Sequence, residues 1–150
     1  MNLMKQLGIT KKLSHIMVQT NYCNSQSTRY LNSKGVKTIM AKTGVKYAHP
    51  IVASVDLGGN CESNGHGCVT FKKDKVYAAI GKNNSIHAQK LKALLEISNI
   101  ACGDAIGNLL MQECILYDND MSIKQFNNIY IENPAIQLKV RGIDRTKTVF

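Results

Sequence analysis

Apolar positions along the chain switch between two spacings, and the spacing assigns most of the elements. Residues 2–12 predict a short helix that Gly8 weakens. Ile16-Met17-Val18-Gln19-Thr20 reads as a short buried strand. A polar loop at 21–24 follows, and Ser25 or Ser27 can cap a helix through Tyr30 and Leu31 that Gly35 ends. Residues 36–41 predict a second strand, Lys42-Thr43-Gly44 a turn, and 45–53 a helix. Val55-Asp56-Leu57 opens a third strand that runs into the glycine-rich segment 58–67. Cys68-Val69-Thr70-Phe71 then returns as a fourth, making a hairpin. Residues 72–84 are polar and predict an exposed connection.

Ser85 can cap the next helix, with Leu91, Leu94, Leu95 and Ser98 near one face. Ile106, Leu109, Leu110, Cys114 and Tyr117 recur at three and four, which predicts a helix over 103–117 with one apolar stripe. Ser122 and Gln125 match a capping box for a short helix toward Ile129. Ile136, Leu138 and Val140 alternate with Gln137, Lys139 and Arg141, so 136–140 predicts a half-buried strand. Strands alternating with helices predict an α/β fold, a single domain with a mixed β-sheet flanked by helices. Its span is expected to be 1–141, with the polar tail 142–150 as a linker.

Composition narrows the classes. Lysine and arginine number 19 against 10 acids, a net charge of +9, which favours anionic partners such as phosphorylated metabolites, nucleic acid or acidic protein surfaces. The basic residues are scattered, with short runs only at Lys11-Lys12 and at Lys72, Lys73 and Lys75, and no stacking aromatics accompany them. A basic nucleic-acid-binding domain therefore rests on net charge alone, and no nucleic acid is expected as partner. Five cysteines, an odd number without a C-x-x-C pair, point to free thiols and a reducing, cytoplasmic setting. No apolar run approaches the ~20 residues that span a bilayer, so no membrane partner is expected.

Two strand-end loops carry candidate chemistry, because ligands of α/β sheets meet the loops at strand ends. Glu62-Ser63-Asn64-Gly65-His66-Gly67 combines a carboxylate that accepts two hydroxyl hydrogen bonds with an amide that donates and accepts, which suits vicinal sugar hydroxyls. The same residues also make an ordinary polar hairpin tip in which Asn-Gly supplies the turn. Cys61, His66 and Cys68 lack a fourth ligand at zinc-type spacing, so buried thiols flanking a strand pair are the simpler account. Lys42-Thr43-Gly44-Val45-Lys46 opens a helix whose amides and Lys46 would attract an anion, or is a routine turn with two solvated lysines. It lacks the second glycine and the Gly-Lys-Ser/Thr order of a P-loop. Asp104 reads as a helix-start residue without a catalytic role.

Five segments in order carry a wider pattern. Val18 through Leu31 is similar to V-Q-T-A-Y-A-N-G-S-S-T-R-Y-L, Lys42 through Tyr47 to K-T-G-V-K-H, and Glu62 through Gly67 to E-A-N-G-H-G. Ala101 through Ile106 resembles A-A-G-D-A-I, and Pro134 through Val140 resembles P-N-R-Q-L-K-V, with Asp144-Arg145 following. These are segments of phosphoacetylglucosamine mutase, a member of the α-D-phosphohexomutases. The resemblance implies the sugar-recognising third domain of a four-domain enzyme, with 142–150 leading to a fourth domain. That enzyme interconverts N-acetylglucosamine 6-phosphate and 1-phosphate on the route to UDP-N-acetylglucosamine.

By the resemblance Glu62 and Asn64 bind the 3- and 4-hydroxyls, with Ser63 beside them where the family has alanine. His66 supports the loop or touches the substrate, and Lys46 lies near the phosphosugar. The family's phosphoserine, magnesium and C-terminal phosphate loops have no counterpart in these residues. No catalytic residue and no metal ligand is thus expected in this chain, Mg2+ belongs to the full-length enzyme, and the isolated chain is expected to be inactive. The partners implied are N-acetylglucosamine phosphate and the remaining mutase domains. A non-catalytic phosphosugar-binding or regulatory module is the alternative within the same resemblance.

Overall fold

β1 (His15–Thr20), β2 (Lys37–Ala41), β3 (Leu57–Cys61) and β4 (Gly67–Phe71) form one sheet in the order β2-β1-β3-β4. The chain is seen in a computed structural model that describes residues 1–62, 66–136, 138, 141–144 and 147. β1 runs parallel to both neighbours, with Val18 opposite Ile39 on one side and Asn60 on the other. β3 and β4 are antiparallel, with Gly59 opposite Val69. Parallel neighbours require crossover connections, and helices supply them, whereas the antiparallel pair closes through a short hairpin. The carboxyl ends of β1, β2 and β3 therefore share one edge of the sheet. The mixed α/β architecture expected from the alternation is the observed one.

α2 (Ser25–Ser33) and α3 (Val45–Ala53) make the two crossovers and cover opposite faces. Ile16 and Val18 point toward α3 and form a buried cluster with Ala48 and Val52. On the other face Gln19 is buried, its amide donating to Ser27 Oγ (2.8 Å) and accepting from Thr28 Oγ1 (2.7 Å) on α2. Neither Ser25 nor Ser27 caps α2. Asn24 does, accepting from Gln26 N at 3.0 Å, because it is the residue in extended backbone before the first turn. Gly35 closes the helix as expected, with Gly35 N on Asn32 O and Val36 N on Leu31 O.

The third strand, expected to open at Val55 and run into the glycine-rich segment, spans Leu57–Cys61 and carries Gly58, Gly59 and Asn60. Close approach requires the glycine at 58. A Cβ on Gly58 would lie 2.7 Å from the Val52 carbonyl oxygen of α3, so only glycine lets the helix settle on β3. Within α3, Pro50 removes the N–H that the Lys46 carbonyl would otherwise accept.

A second core lies beside the hairpin. Met4 of α1 (Asn2–Gln6), Ile9 and Leu13 pack with Val76 and Ile80 of α4 (Lys73–Ile80) and with Ala88, Leu91 and Leu95 of α5 (Ile86–Ile97). Leu57 and Phe71 join it to the sheet. Two expectations change here. The N-terminal helix ends at Gln6 rather than near residue 12, and the polar stretch 72–84 contains α4, with Val76 fully buried. Ser85 caps α5 as expected.

α6 (Ala105–Asp118) and α7 (Ile123–Asn127) complete the described elements, α7 opening on the expected Ser122–Gln125 capping box. The predicted stripe of α6 faces solvent. Ile106 is 74% exposed and Tyr117 91%, and Leu116 is the helix's buried apolar residue. Periodicity announces an apolar face without specifying what covers it. Ile136 and Leu138, expected on a half-buried strand, are exposed and in no strand, since no described strand lies beside them to pair. Gln137, Lys139 and Val140 lie outside the described residues.

Asp56 ties the start of β3 to the start of β1, on the edge away from the candidate loops. Its carboxylate accepts from Ser14 N (2.9 Å), Ser14 Oγ (2.7 Å) and Lys75 Nζ (3.1 Å). The Ser14 backbone N–H, then its hydroxyl, then Lys75 hold this carboxyl well below the usual carboxylate range. Asp56 therefore contributes stability that is complete above the ordinary carboxylate range. That contribution is lost as pH falls through the range toward the depressed folded value.

Candidate functional site

β3 delivers the candidate loop to the carboxyl edge. By register Val18 lies opposite Asn60, so Glu62, two residues on, stands level with the end of β1. Glu62 N donates to His66 O at 2.8 Å and closes the connection between β3 and β4. Glu62 and His66 are both half-buried at the two ends of this connection, while Ser63 and Asn64 lie outside the described residues. Beneath the loop, Asn60 is buried and accepts from the buried Cys68 thiol.

Cys61 was expected to be buried and is exposed as a residue. As the last residue of β3 it stands at the rim of the sheet, although its thiol is hemmed in. Burial, then the nearby Cys23 and Glu62, push that thiol above the ordinary cysteine range. Burial raises the Cys68 thiol in the same direction. All five cysteines are free.

The segment before α6 seats the loop's return limb. Asp104 caps α6, its Oδ1 accepting from Gly107 N at 2.8 Å, in agreement with its reading as a helix-start residue. Asn108, one turn into the helix, donates from Nδ2 to Gly67 O at 3.2 Å. The His66 ring lies directly on Gly103, where an added Cβ would fall 2.2 Å from Cε1. These contacts were not foreseen from sequence. The glycine and the aspartate stand in a recognisable segment, but nothing in their spacing from residue 66 announces that the two meet.

Lys46 occupies the first turn of α3, whose N-cap Gly44 offers no side chain to the free amides. Its ammonium is exposed and lies 5.0 Å from the Tyr47 ring centroid. β2 and β3 flank β1, so the two loops leave the same edge about two strand spacings, ~10 Å, apart. The structure thus places Glu62 and His66 together, and Lys46 on the neighbouring loop of the same edge.

A further group at this edge was missed. Asn133 O accepts from Asn24 Nδ2 (2.8 Å), its side chain bonds Gln26 and Ser25, and its N–H donates to Asn24 Oδ1 (3.2 Å). Tyr130 stacks at 5.7 Å on Tyr30. A segment more than a hundred residues downstream is thereby latched to the start of α2.

Among the described residues no three His, Cys, Asp or Glu side chains gather as a metal would require. No described helix is long and apolar enough to cross a membrane. Several lysines are engaged by acids: Lys72 and Lys75 by Asp56, Lys73 by Glu96, and Lys90 by Asp118.

The comparisons with known proteins converge. The family described as phosphoacetylglucosamine mutase AMG1, domain III, matches residues 1–121. The phosphoacetylglucosamine mutase of Arabidopsis thaliana is 37% identical over 145 residues, covering 89% of this chain and 26% of that protein. The human phosphoacetylglucosamine mutase is 36% identical over 144 residues, covering 91% and 27%. Among solved structures, Aspergillus fumigatus N-acetylphosphoglucosamine mutase in complex with GlcNAc-6P and magnesium superposes with a TM-score of 0.80. It is 32% identical and covers 89% of this chain and 28% of that one. The chain spans about a quarter of the length of these relatives.

Proposed function

The chain belongs to the phosphoacetylglucosamine mutase family, and on that premise we propose that it is the sugar-recognising portion of such an enzyme. Residues 1–141 are the sugar-binding domain, and 142–150 lead on as a linker. The reaction served is the interconversion of N-acetylglucosamine 6-phosphate and 1-phosphate, which supplies UDP-N-acetylglucosamine synthesis. One observation carries the reading: the Glu62–His66 connection stands at the carboxyl edge of a parallel sheet, where α/β folds bind ligands. The solved relative that binds GlcNAc-6P supports it.

The chemistry assigned to each residue follows from what it can donate and accept. Glu62 accepts from two hydroxyls, and the Asn64 amide both donates and accepts, so the pair suits the vicinal 3- and 4-hydroxyls. Ser63 adds a hydroxyl beside them, and His66 holds the loop or touches the sugar. Lys46, on the neighbouring loop, supplies positive charge toward the phosphate. A mutase must bind its sugar in two orientations so that either phosphate can face the phosphoryl donor. Gripping the 3- and 4-hydroxyls serves both, because these groups nearly exchange places when the ring is turned over.

Magnesium, where the complete enzyme binds it, stabilises charge on the transferring phosphoryl group. In this reading the metal is held elsewhere in the complete enzyme, and this chain's part is to bind and orient the sugar.

Saturation-transfer NMR on the 150-residue chain with N-acetylglucosamine 6-phosphate tests this reading. The strongest transfer is expected at the ring protons on carbons 3 and 4, without conversion to the 1-phosphate when magnesium and a hexose bisphosphate are added. Transfer confined to the acetyl methyl, or none, would refute it.

A further inference from the structure

We propose that Gly103 is a positioning residue for the sugar loop, seating it through the ring of His66; this rests on the sugar-binding reading of that loop. The contact is intimate. A Cβ built on Gly103 would lie 2.2 Å from His66 Cε1, 2.4 Å from Nε2 and 2.8 Å from Nδ1. Three ring atoms so close place the imidazole against the glycine's Cα, in the space any side chain would fill. Gly103 does not have the positive φ that favours glycine, so space rather than backbone conformation demands its small size.

The consequence for the loop follows from what His66 and its neighbour hold. The His66 carbonyl accepts from Glu62 N at 2.8 Å, closing the loop on the residue assigned to the sugar hydroxyls. The next residue, Gly67, accepts from Asn108 Nδ2 at 3.2 Å. The turn from Gly103 to Asn108, capped by Asp104, thus meets two successive residues of the return limb: Gly103 lies under the ring of His66, and Asn108 donates to Gly67. A methyl group at 103 leaves the ring no room. The imidazole must rotate out, which takes the ring off its seat beneath the loop, or the limb must lift, which displaces the connection that presents Glu62.

A thermodynamic cycle over Gly103→Ala, His66→Ala and the double variant of the full chain decides the matter, read in two ways. The His66 imidazole resonances report the seat itself, and an NMR titration with N-acetylglucosamine 6-phosphate reports its consequence. Gly103→Ala is expected to move the His66 resonances and weaken binding by about tenfold or more. The double variant should bind like His66→Ala alone, because removing the ring removes the three closest contacts of the added methyl.

Unchanged His66 resonances in Gly103→Ala, or multiplying losses in the double variant, would overturn the proposal. So would a shifted ring with undiminished binding. If Gly103→Ala does not fold, recovery of the fold on adding His66→Ala supports the proposal, and no recovery overturns it. If the unaltered chain binds no sugar phosphate, the functional reading has failed and with it the loop's role. The imidazole resonances then still establish whether Gly103 seats His66.

Discussion

Glu62→Gln, in an enzyme carrying this domain, is expected to lower kcat/KM by at least about tenfold in both directions of the mutase reaction. The substitution keeps the shape of the side chain and removes its charge. A hydrogen bond to an ionised group contributes about 1.5–3 kcal/mol, and a neutral amide recovers only part of that. About 1.4 kcal/mol corresponds to tenfold in rate or affinity. The direction test carries the weight. If the loop grips hydroxyls that exchange places when the ring turns over, both half-reactions use Glu62 and suffer together. Steady-state kinetics from each phosphate separate the cases: a loss in one direction only, or in neither, removes Glu62 from the shared grip.

Met4→Ala should destabilise the chain by about 2–5 kcal/mol, the range for truncating a large buried aliphatic side chain. Met4 is 2% exposed and packs among Ile9, Leu13, Val76, Ile80, Leu91 and Leu95. In a domain of this size each kcal/mol lowers Tm by roughly 2–4 °C. Ile106→Ala, on the solvent-facing side of α6, should by contrast stay within about 0.5 kcal/mol. Urea unfolding of both variants checks the pair. An insensitive Met4 would mean that α1 is not part of this core, and a costly Ile106→Ala that the α6 face is covered in solution.

What could be read in advance divides along physical lines. Signals set by neighbours a few residues apart were legible: the Ser122–Gln125 capping box, Gly35 after α2, and the strands around Val18 and Ile39. α4 was not, because Val76, Ala79 and Ile80 make a single turn of apolar stripe among lysines, too short to reveal a buried face. The packing on β3 was illegible for another reason: nothing local in Gly-Gly-Asn announces that the Val52 carbonyl of α3 would lie 2.7 Å from a Cβ at position 58. The candidate site was proposed from the chemistry of Glu62 and His66 and from a family pattern around them. Its assembly was not legible: His66 on Gly103 and Asn24 on Asn133 join segments about 40 and 110 residues apart, and no local spacing encodes such meetings.

The most direct test is a residue-by-residue map of where the sugar phosphate lands on the chain. Amide chemical shifts recorded during titration with N-acetylglucosamine 6-phosphate should move at Lys46, Glu62 and His66 and at the start of α6, and inorganic phosphate should reproduce at most the Lys46 part. Shifts confined to the lysine-rich surface from Lys72 to Lys92, reproduced by inorganic phosphate alone, would contradict a sugar site at the Glu62 loop.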